Sequence, residues 1–90
     1  MARVKSPVVR KLRPVLTEKF PPPATIRLED DDGIIGVITS QRFARMDGID
    51  RQRLIRKILN TALTPEERQQ IQIIVGVTPD EGTGYLPGPD

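Results

Sequence analysis

The chain contains no cysteine, no histidine and no tryptophan. Without cysteine there is no disulfide, no thiolate nucleophile and no thiolate ligand for zinc or an iron–sulfur cluster. Without histidine the commonest general base and imidazole metal ligand are missing as well. Acid–base catalysis would fall to carboxylates, lysine or the single tyrosine, Tyr85, which lies in a stretch rich in glycine and proline. The acidic residues fall mostly at turns and capping positions. These absences point away from an enzyme, a resident cofactor and a bound metal, and toward a binding module. Aromatic residues make up 3% of the chain against 37% apolar residues in all, so an aliphatic core is expected. No apolar run approaches the ~20 residues that span a bilayer, and MARVKSPVV lacks the apolar block of a secretory signal. A cytoplasmic protein with no membrane contact is the expectation.

What the chain does have is segregated charge. Residues 1–19 carry six Lys/Arg and one Glu, and residues 41–60 carry six and two Asp, while 20–40 and 61–90 are net negative. Ninety residues allow one small domain. It is placed at 6–81, with a disordered start at 1–5 and a flexible tail at 82–90.

Ser6-Pro7 reads as a cap followed by proline at the first helical position, and Val8, Leu12, Val15, Leu16 and Phe20 form one apolar stripe. Pro14 falls inside that stripe. It predicts either a kink or loose order before Arg13. The prolines at 21–23 stop the helix. Alternation over 24–29, the turn Asp30-Asp31-Asp32-Gly33 and the run 34–39 predict a β-hairpin. The spacing of the three aspartates does not suit an EF-hand loop. Asp47 caps a second helix, Thr64-Pro65-Glu66-Glu67 opens a third, and 71–77 is a third strand. The predicted class is α+β, a two-layer α-β-β-α-α-β arrangement with a three-stranded mixed sheet and helices on one face. Ile26, Leu28, Ile35, Val37, Leu54, Ile55, Ile58, Leu59, Ile73 and Val75 are expected to supply most of one core.

This order, with the stretches VVRKLRPVLTEKF, TIRLEDD, ITSQRF, RQRLI and VTPDE, resembles the BolA family, whose fold is like the type II KH domain. ITSQRF looks like the family's Val-Ser-x-x-Phe strand end, RQRLI sits where the family has Arg-His-Arg-Leu-Val, and VTPDE where it has a Thr-Pro-Glu-Glu ending. The resemblance implies a regulatory module that binds nucleic acid, DNA or RNA, in transcription. The alternative it implies is an adaptor for a monothiol glutaredoxin in iron–sulfur cluster handling. The chain departs from the family pattern at the ligands. Gln52 replaces the histidine of Arg-His-Arg, Gln70 stands near the histidine before the last strand, and the aspartate turn replaces the loop Cys or His. The family's Phe-x-Gly becomes Phe43-Ala44-Arg45.

Arg42, Arg45, Arg51, Arg53, Arg56 and Lys57 are the candidate nucleic-acid contacts. At 100° per residue Arg53, Arg56 and Lys57 project away from the apolar stripe, whereas Arg51 points near it. Its alternative role is to lay its stem over the apolar face and meet an acidic side chain. For the others the alternative is a solvated helix face. There is no aromatic platform for stacking bases and no Gly-x-x-Gly loop between helices, so backbone contact is expected rather than base reading.

Overall fold

Helix α1 (Pro7–Lys19) starts where the Ser6 hydroxyl accepts a hydrogen bond from the Val9 amide at 3.3 Å, with Pro7 at the first position. The structure is a computed structural model that describes residues 6–81, so the expected disordered start and flexible tail lie outside the described residues. Helix α1 runs through Pro14, which stands on the exposed side, where the carbonyl it leaves without a donor can take water. Val8, Val9, Leu12 and Leu16 form its buried side.

Strands β1 (Thr25–Asp30) and β2 (Ile34–Thr39) pair antiparallel. The turn between them uses positive φ at Asp32 (66°) and Gly33 (124°), a backbone that aspartate tolerates and glycine favours. A short 3-10 turn, Gln41–Phe43, leads into α2 (Gly48–Ala62), whose cap Asp47 accepts from the Asp50 amide at 2.9 Å. Helix α3 (Pro65–Arg68) opens with a reciprocal capping box between Thr64 and Glu67. Strand β3 (Ile71–Val77) then pairs parallel with β2, giving a mixed sheet in the order β1-β2-β3. The domain is α+β, with the element order the sequence predicts.

The core corrects two strands of the sequence reading. Ile35 is 41% exposed and Ile73 51%, while Val37 and Val75 are half-buried; the core face instead carries Ile34, Ile38 and Ile74. Leu28, Ile55, Ile58 and Leu59 are buried as expected, and Ile26 and Leu54 pack against the core while half-buried. Two physical causes account for the error. On β2 the core face holds Gly36, which counts as no apolar residue but leaves room for its neighbours. A Cβ there would lie 2.8 Å from Leu28 Cδ2 and 3.2 Å from Ile74 Cγ1. On β3 the register steps from Ile34↔Ile71 to Ile35↔Ile73, so Gln72 is an extra residue. This bulge resets the alternation, and Ile71 and Ile74 both reach the core despite their odd spacing.

The aliphatic expectation also needs amendment at the centre. Phe20 and Phe43 are both essentially unexposed, with ring centroids 5.2 Å apart and planes inclined at 31°. Ile34→Ala should therefore destabilise by about 2–5 kcal/mol, while Ile35→Thr should change stability by no more than about 0.5 kcal/mol. Urea unfolding of the two variants checks this. Equal losses would return Ile35 to the core face.

Candidate functional site

The six candidate cations fall into three environments. Arg51, one turn into α2, is turned inward, its side chain 13% exposed. Its Nε donates to the Met46 carbonyl at 2.9 Å, and its two terminal nitrogens donate to the Phe43 carbonyl at 2.9 Å and the Gly76 carbonyl at 3.1 Å. The same nitrogens meet the Glu81 carboxylate at 2.6 and 3.3 Å. The guanidinium also lies 5.8 Å from the centre of the Phe43 ring. Arg51 therefore ties the 3-10 turn, the start of α2, the end of β3 and the residues after it into one unit. The acidic partner suggested by its helical phase is Glu81.

Glu81 is held there from its own side. Its carboxylate accepts from the Thr78 amide at 3.0 Å, and its amide donates to the Thr78 hydroxyl at 3.4 Å, a second capping pair like Thr64–Glu67. The Arg51 hydrogen bond, followed by that of the Thr78 amide, holds the Glu81 carboxyl down from 4.5 to about 2. At the first capping box, Lys11 donates to Glu67 at 2.8 Å and is the main cause that lowers the Glu67 pKa.

Arg53 and Arg56 stand on the opposite side of α2. They line one depression with Asp47, Gly48, Ile49 and Gln52 beside the helix start. Ile49 there is 65% exposed. Arg45 is exposed in the turn before the helix. Among the described residues none of Arg45, Arg53, Arg56 and Lys57 has a hydrogen-bonded side chain or an ion-pair partner. The backbone amides at the helix start are partly taken up by the chain itself. Asp47 already occupies the Asp50 amide, and Asp50 adds a second negative charge to the first turn. The arginine side chains are the charged groups here that could hold an anion.

Lys57 and Arg42 face elsewhere. They line a groove between α1 and α2 together with Lys19, a residue the sequence reading passed over. Lys19 follows Val15 by four residues, so both project from one side of α1. That spacing was the available signal. Arg42 is fixed by a hydrogen bond to the Lys19 carbonyl at 3.0 Å and by its guanidinium 5.3 Å from the Phe20 ring centre.

The positions where the BolA resemblance would place cluster ligands are also defined. Asp30, Asp32 and Gln70 line one shallow depression between the hairpin turn and the start of β3. Gln52 is used otherwise, its amide donating to the Ile74 carbonyl at 3.1 Å. With Arg51 on Gly76, it covers carbonyls along the outer edge of β3. Carboxylate and amide oxygens do not fit an iron–sulfur cluster, which takes thiolate or imidazole. Among the described residues no group of three or more His, Cys, Asp or Glu is placed to hold a metal ion. No described helix is long and apolar enough to cross a membrane. No family model, curated protein or solved structure matches the chain.

Proposed function

We propose that this chain is a BolA-like, non-enzymatic module of type II KH-like fold that binds the phosphate backbone of nucleic acid in a regulatory role. The observation that carries the reading is the exposed trio of Arg45 in the turn before α2 and Arg53 and Arg56 along the helix, none of them neutralised by a described residue. Arg42 and Lys57 line the separate groove between α1 and α2 and are not part of this trio. Arg51 contributes indirectly, by fixing the turn that carries Arg45 against the helix. Backbone contact suits the surface, because both phenylalanines are buried and cannot stack on bases. Phosphate contacts carry no sequence information by themselves.

Affinity for duplex DNA should fall with salt at a log–log slope of about −0.9 for each phosphate neutralised. Arg53→Glu combined with Arg56→Glu should abolish binding without loss of fold, since both side chains are exposed. Fluorescence anisotropy with two unrelated duplexes should give equal affinities. Unchanged affinity in the double variant would refute the assignment, and binding of a monothiol glutaredoxin in place of DNA would favour the adaptor role.

A further inference from the structure

The groove between α1 and α2 is distinct from the Arg53–Arg56 depression in both lining and chemistry. Its floor is aliphatic: Val15, Leu54 and Ala62 are half-buried, and Ile58 lies beneath them. On α2 the residues Leu54, Lys57, Ile58, Thr61 and Ala62 recur at three- and four-residue spacing, so one continuous side of the helix borders the groove. From Leu54 to Ala62 that border runs about 12 Å, a little over two helical turns. The rim carries Lys19, Arg42 and Lys57, and the lining includes no acidic residue. Among the described residues none of the three has an ion-pair partner. Arg42 is held in place by Phe20 and the Lys19 carbonyl, so its charge is positioned before any partner arrives.

We infer that this groove docks an acidic amphipathic helix of a partner protein. Apolar anchors spaced over two turns would lie on the Val15–Leu54–Ala62 floor, and flanking glutamates or aspartates would meet Lys19, Arg42 and Lys57. An aliphatic floor gains from burying another apolar surface, whereas a phosphodiester strand would leave it exposed to water and unmatched. The charge decides the sign of the partner. The floor decides that the partner is amphipathic.

The probe is a synthetic peptide of about four helical turns, with leucines at i, i+3, i+4 and i+7 and glutamates on both flanks. A second peptide carries glutamine in place of each glutamate. Titrated into nitrogen-15-labelled protein, the acidic peptide should shift the amides of Val15, Lys19, Thr61 and Ala62. Lys19→Glu with Lys57→Glu should weaken it at least about tenfold by reversing two rim charges. Thr61→Glu, an exposed position on the same rim, should weaken it as well. Arg53→Glu with Arg56→Glu should leave peptide affinity unchanged, which separates this site from the proposed nucleic-acid surface. Four results would overturn the inference: no shifts, shifts confined to the start of α2, equal binding of the glutamine peptide, or duplex DNA displacing the peptide from the Val15 and Ala62 amides.

Discussion

Replacing Arg51 with methionine is expected to destabilise the domain by roughly 2–4 kcal/mol, because three backbone carbonyls lose a donor at about 0.5–1.5 kcal/mol each. Those carbonyls belong to Met46, Phe43 and Gly76, on three different segments. Methionine retains much of the apolar stem, so the loss reports the guanidinium rather than a cavity. Lysine should recover only part of it, since one ammonium cannot reproduce the planar fork that reaches all three segments. The variant should also change the response to acid. A carboxylate with a depressed folded pKa stabilises the fold above its unfolded value and loses that contribution as pH falls through the folded value. For Glu81 the window runs from pH 4.5 down to about 2. Wild-type protein should lose stability across that interval, and Arg51→Met should lose less, because the first cause of the depression is gone. Urea midpoints measured from pH 2 to 7 would show the difference, and identical midpoints for the two proteins would contradict it.

Phe43→Ala is expected to cost about 3–5 kcal/mol, the usual range for emptying a phenylalanine site in a core. Phe43 is fully buried and touches three parts of the fold: the Phe20 ring, the Arg51 guanidinium and the backbone of Gly76. The contact with Gly76 makes a sharper test. A Cβ on Gly76 would lie 2.5 Å from Phe43 Cζ, so Gly76→Ala alone should destabilise by about 1–3 kcal/mol through overpacking. In the Phe43→Ala background the same methyl group enters vacated space, and its cost should fall toward zero. The double variant would then be clearly less damaged than the sum of the singles. Additive losses would mean that Phe43 does not lie over Gly76.

These two residues show what the sequence made legible. Element order followed from local chemistry: Ser6-Pro7, Asp47 and Thr64-Pro65 mark helix starts by the hydrogen bonds their side chains can make, and all three occur. The inward phase of Arg51 followed from helical geometry. Its partners did not, since Gly76 and Glu81 are 25 and 30 residues away and arrive only through the parallel pairing of β2 with β3. The core face of the sheet was hidden for a related reason. Both faces of β2 and β3 are aliphatic, and the choice between them rests on two glycines beneath Leu28 and Phe43 and on the extra residue Gln72. A glycine carries no hydropathy signal for the space it leaves. Lys19 was passed over because Arg42 and Lys57 join it only in three dimensions.

The proposed contact of Arg45, Arg53 and Arg56 with nucleic-acid phosphates is decided by a titration of nitrogen-15-labelled protein with duplex DNA. At low salt the amides of Arg45, Ile49, Arg53 and Arg56 should shift together, to the same extent with unrelated sequences, and return toward their free positions as salt rises. Spectra that stay unchanged at millimolar DNA and low salt would contradict the claim.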